Sequence, residues 1–120
     1  MNDQSEIEKI ERRLKDTINK LHQLAPAVGA ARQIREFVSD QRKNILAAEA
    51  YKHIQNGESV AAAEYRARTS PVYLEKFAEL QKNLSEANRV IAEWEASMCE
   101  FEACRSLLAM NRETLRTLEG

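Results

Sequence analysis

The chain has 120 residues, 43% of them apolar and 31% charged, with three Gly, two Pro and a net charge of −1. That length bounds it to one domain, and the charged, Gly- and Pro-poor profile points to long helices or coiled coil and away from a sheet. Near-neutral net charge excludes a generic nucleic-acid binder, so phosphate contact would have to come from a local patch. No apolar run approaches the ~18 residues that a membrane span needs. The opening "MNDQSEIEKIERRLK" has no hydrophobic signal segment, which predicts a cytoplasmic protein whose two cysteines are reduced thiols.

The first helix has a start signal. Ser5 and Glu8 form an S-x-x-E capping box, followed by apolar residues at Ile7, Ile10, Leu14, Ile18, Leu21, Leu24 and Val28. Apart from Ile18, one place late, this is a 3-4 heptad stripe. Pro26 and Gly29 interrupt it, yet the stripe resumes through Ala31, Ile34, Val38, Ile45 and Ala48 with a stammer-like shift of phase. The expected arm therefore runs from residue 5 to residue 55 and kinks or briefly breaks near 24–29, because an interior proline costs roughly 3 kcal/mol.

Asn56-Gly57 is a helix stop and Ser59 a fresh N-cap. A short helix follows, with Val60, Ala63 and Ala67 on one face, giving a tip over 56–70. Ser70 caps the next helix and Pro71 takes its first position. That long helix, over 71–118, carries Phe77, Leu80, Leu84, Ala87, Ile91, Trp94, Met98, Phe101, Leu108 and Leu115 at heptad spacing, with Arg105 and Arg112 filling the two remaining seam positions. Such a helix does not bury its stripe alone. The expected fold is all-α: a long antiparallel helical hairpin or coiled coil with a kinked first arm and a short helix at the tip. Folding about Ala63 sets Trp94, Met98 and Phe101 against the small residues of "APAVGAA", and Arg112 near Glu11 and Asp16. The thin core of two helices predicts a homodimer or a third helix alongside.

No catalytic or cofactor motif is present, which predicts a non-enzyme without cofactor. Cys99 and Cys104 lie about 140° apart around a helix, and neither His22 nor His53 has a Cys or His at i+3 or i+4, so no metal site is expected. Charge is more informative. Arg32 to Gln55 holds five Lys/Arg against three acids, and Glu86 to Cys104 holds five Glu against one Arg. The basic set Arg35, Arg42, Lys43, Lys52, Arg66 and Arg68, with Tyr73 and Lys76 at the tip, is the candidate nucleic-acid or partner contact. Glu93, Glu95, Glu100 and Glu102 form a candidate acidic docking face. The plain alternative for both is a solvated helix surface laced by i,i+4 pairs.

"SVAAAEYRARTSPVY" also has the outline of a helix-turn-helix. Its turn lacks Gly, and the would-be reading helix continues for dozens of residues with its stripe already committed to a partner, which favours a hairpin tip. The stretches "ARQIREFVSDQRKN", "GESVAAAEYRARTSPVY" and "EANRVIAEWEASMCEFEACRSLL" resemble small helical coiled-coil accessory proteins of tailed bacteriophages. Gln41 stands where that resemblance would place Arg. The resemblance implies a phage accessory protein acting in the bacterial cytoplasm and brings no catalytic residue. The expectation is a protein that binds a host or phage protein through a rigid helical surface. The alternative is a nucleic-acid-binding recombination or replication accessory that uses the basic patch.

Overall fold

The computed structural model describes residues 3–119. They form three helices, α1 (Asp3–Gln55), α2 (Val60–Thr69) and α3 (Pro71–Glu119), with no strand among the described residues. This is the all-α helical hairpin that the apolar stripes predict. α1 is one unbroken helix with Pro26 inside it, so of the two expectations near 24–29, a kink or a brief break, the break does not occur. Pro26 lies on the exposed side of the helix, where the carbonyl that loses its amide partner can turn to solvent. Ser5 falls inside α1, so its predicted capping box is not the helix start.

The chain divides into two compact units, one joining the chain up to Gly29 with the chain from Val90 onward, the other comprising Ala30–Arg89. In the first unit, Ile7, Ile10, Cys104 and Leu108 form a buried core, with Leu14, Leu107 and Leu115 packed against it. The stripe of α1 keeps strict heptad spacing because Thr17, not Ile18, occupies the buried place. The Thr17 hydroxyl donates to the Arg13 carbonyl at 2.8 Å, which satisfies a polar group inside the seam.

On α3 the seam differs from the prediction. Arg105 and Arg112 are exposed, Cys104 is fully buried and Asn111 is half-buried. Ser97 is likewise buried where Met98 was expected. Val90 and Ile91 are both buried, and there one column of the seam moves a residue toward the N-terminus. Desolvating two guanidinium groups would cost several kcal/mol each, whereas a thiol and an amide enter the seam cheaply. The register differs as well. Phe101 lines a groove with Leu14 and Ile18 rather than meeting the alanines of "APAVGAA". Ala25, Pro26, Ala27 and Gly29 are exposed, and a Cβ added at Gly29 would touch nothing within 4 Å. Within that stretch Val28 and Ala31 are buried, whereas Ala25, Ala27, Gly29 and Ala30 give no buried small surface for the expected large-against-small packing. The branched residues of α1 pair instead with Cys104 and Leu108. The predicted Arg112–Glu11 pair forms, at 3.2 Å.

In the second unit, Ile34, Val38 and Ile45 are half-buried on the predicted stripe, but Ala48 is exposed and Glu49 and Ala50 are buried. Arg35 Nε donates to Asn88 Oδ1 at 2.9 Å, tying α1 to α3. α1 ends in a Schellman motif: Glu58 N–H donates to the His53 carbonyl and Gly57 N–H to the Ile54 carbonyl, with Gly57 at φ 92°. Ser59 then caps α2, its Oγ accepting from Ala62 N–H at 3.3 Å. α2 folds back on α1 through Ala63 and Ala67, both without exposed surface, against Ala50 and Leu46. Ser70 caps α3, its Oγ accepting from Tyr73 N–H at 3.0 Å.

Candidate docking surface

The predicted basic set does not form one free patch. Lys52 pairs with the buried Glu49 at 2.8 Å. Arg66 Nε pairs with Glu58 at 2.8 Å, and His53 Nδ1 lies 3.1 Å from the other oxygen of the same carboxylate. These contacts fasten the α1–α2 turn and occupy charges that phosphate contact would need. Arg35 is engaged with Asn88. Arg42 is half-buried on the stripe of α1, and Lys76 is exposed on the first turns of α3. Tyr73, predicted as an exposed contact, is 7% exposed and stacks on Phe77 with ring centroids 5.9 Å apart. Its place four residues before Phe77 and seven before Leu80 continues the apolar stripe, so the sequence held the signal.

The acidic face is also partly spent within the chain. Arg13 donates to Glu100, and this contact, more than any other, holds the Glu100 carboxyl below the usual carboxylate range. The same contact raises the Arg13 guanidinium. Glu102 lies 3.9 Å from Arg105, whose guanidinium sits 5.7 Å over the Phe101 ring. Glu93 is half-buried and Glu95 exposed. Burial, then the neighbouring Glu100, pushes the Cys104 thiol up, which makes it a poor nucleophile. Among the described residues no group of three or more His, Cys, Asp or Glu could hold a metal ion. No helix is long and apolar enough to cross a membrane.

Two of the predicted contacts, Lys43 and Arg68, come together in one groove. They line a groove of about 380 Å³ between α1 and α2, whose apolar wall includes Leu46, Tyr51, Ile54 and Val60. Val60 was expected to face inward with Ala63 and Ala67; it is 60% exposed, because the close approach of the two alanines leaves it at the flank of α2. Tyr51 and Ile54 lie off the core stripe of α1 and are exposed. Ala47, Ala50/Tyr51 and Ile54 recur at i, i+3/i+4 and i+7, a second apolar stripe beside the first. Among the described residues, seven of the nine large exposed apolar side chains (Phe37, Tyr51, Ile54, Val60, Tyr65, Val72 and Leu74) belong to the second unit. Unpartnered apolar surface is therefore concentrated there. No protein-family model, curated protein or solved structure matches this chain.

Proposed function

We propose that this is a non-enzymatic accessory protein, of the kind implied by the resemblance to phage proteins, that binds a protein partner through its helical surface. The observation that carries the reading is the groove between α1 and α2, where Tyr51, Ile54 and Val60 stand exposed beside one another. Large apolar side chains gathered on one surface are a feature of protein-binding sites. Phosphate contact rests instead on Lys and Arg side chains that are free to neutralise it. In this chain Arg35, Lys52 and Arg66 already have partners. The juxtaposed Lys43 and Arg68 are what favours the alternative, a nucleic-acid accessory.

The test is retention of a partner by the tagged full chain in a bacterial lysate treated with nuclease, alongside anisotropy titrations with single- and double-stranded oligonucleotides. A stoichiometric protein retained after nuclease treatment is the expected result. Oligonucleotide binding that weakens steeply with salt, and falls when Arg42 and Lys43 are neutralised, would transfer the reading to nucleic acid.

A further inference from the structure

The groove has a direction. The turn at Gly57 brings the start of α2 back beside the end of α1, so Val60 lies near Ile54 and Tyr51, and Arg68 comes alongside the part of α1 that holds Lys43. One end is therefore apolar and the other cationic, with Glu64 on the wall between. Neither Lys43 nor Arg68 has an ion-pair partner among the described residues, unlike Lys52 and Arg66 close by. Lys43 to Ile54 spans roughly 16 Å of helix at ~1.5 Å per residue, about three turns. Both walls are helices with side chains at helical spacing, so the groove offers ridges for a third helix, and no strand edge for an extended peptide exists among the described residues.

We infer that this groove binds one amphipathic helix of a partner protein, about three turns long, with apolar residues at i, i+3/i+4 and i+7 and Asp or Glu at one end. The apolar stripe covers Tyr51, Ile54 and Val60, and the acidic end meets Lys43 and Arg68. This rests on the protein-binding reading and adds the class of partner and the site. The unpaired cations supply the selectivity, because a basic or neutral end would leave them desolvated without compensation.

The experiment is a selection from a displayed library of randomised helical peptides of roughly sixteen residues, or four turns, run on the full chain. Enriched peptides are then measured by anisotropy against the wild type, Val60→Asp and the double variant Lys43→Glu/Arg68→Glu. All three positions are exposed, and circular dichroism confirms that each variant is folded. The expected result is enrichment of peptides with the stated stripe and an acidic end. Val60→Asp then weakens binding at least about tenfold, and the charge reversal does the same while shifting preference to basic ends. Absence of enrichment, enrichment without acidic bias, or affinities unchanged by either variant would overturn the inference. A homodimer that dissociates in Val60→Asp, seen by sedimentation, would overturn it by making a second copy the occupant. A nuclease-resistant partner that both variants still retain would also overturn it, yet leave the protein-binding reading standing. That reading fails separately, when no partner survives nuclease treatment.

Discussion

Arg13 on α1 donates two hydrogen bonds to one oxygen of Glu100 on α3, at 3.1 Å from Nε and 2.6 Å from Nη2, and the Cys104 thiol lies 3.5 Å from that same oxygen. The pair joins α1 to α3 at the surface of the first unit, beside the buried Cys104. Its charge-assisted geometry favours the ionised carboxylate, so the folded state holds Glu100 below the usual carboxylate range. The unfolded chain then binds the proton more readily, and folding gains from the pair wherever Glu100 is ionised. That contribution is complete above the ordinary carboxylate pKa of about 4.3 and disappears as the pH falls through the lower folded value. Glu100→Gln should therefore lower the Tm at pH 7 and flatten the loss of Tm between about pH 5 and pH 3. Thermal melts of both proteins across that range check it. Parallel acid profiles would show that the pair does not couple to folding.

Burial along α3 ranks two substitutions in an order that their sizes do not suggest. Ile91 is 1% exposed at the point where the seam changes column, whereas the larger Trp94 is only half-buried. Ile91→Ala should cost about 2–5 kcal/mol, through lost transfer energy and an unfilled cavity. Trp94→Ala should cost less, because a half-exposed ring leaves a hollow that water can enter. Urea denaturation of the two variants decides between the observed seam and the predicted one, which centred the core on Trp94 and on the small residues of α1.

Which parts of this fold were legible in the sequence follows from what each signal encodes. The helix ends around the tip were legible, since Asn56-Gly57, Ser59 and Ser70-Pro71 act through local backbone chemistry, whereas the start of α1 was not, Ser5 lying inside it. So was the existence of the stripes. The side of a stripe was harder, because neighbouring residues on a helix differ by only ~100°. Thr17 and Cys104 were passed over for Ile18 and Arg105, although the buried places took the former two. Register was harder still, since it depends on the sum of contacts along both helices, and Arg112–Glu11 formed because a long side chain tolerates a shift. The groove went unread for another reason: Val60 is apolar and at core spacing, and only the close approach of Ala63 and Ala67 to α1 pushes it to the flank.

Glycine and proline positions give a three-way comparison of backbone effects. Gly57 sits at φ 92° in the Schellman turn, a conformation that an L side chain adopts only under strain. Gly57→Ala should destabilise by at least about 1 kcal/mol. Gly29 lies inside α1 with open space around its would-be Cβ. Gly29→Ala should therefore stabilise, by about 0.5–1 kcal/mol, through reduced freedom in the unfolded chain. Pro26→Ala restores an amide in the interior of an unbroken helix and should stabilise more than Gly29→Ala does. Chemical denaturation of the three single variants reads all three signs, and a destabilised Pro26→Ala would mean that α1 depends on the proline.

The two cysteines should separate by reactivity. Cys99 is exposed, whereas Cys104 has no exposed surface and belongs to the core formed with Ile7, Ile10 and Leu108. The nucleophile is the thiolate, and burial together with the adjacent Glu100 raises the energy of that form at Cys104. Modification of Cys104 then requires the helices to part, so its rate reports opening of the first unit. With Ellman's reagent at pH 8, the native protein should release one equivalent of thiol rapidly and the second slower by at least about a hundredfold, both becoming fast in denaturant. Cys99→Ser should remove the rapid phase and leave the slow one. Glu100→Gln, by loosening the contact above Cys104, should speed the slow phase. Two rapid equivalents from the native wild type would place Cys104 outside the core and would overturn the register described for α1 and α3.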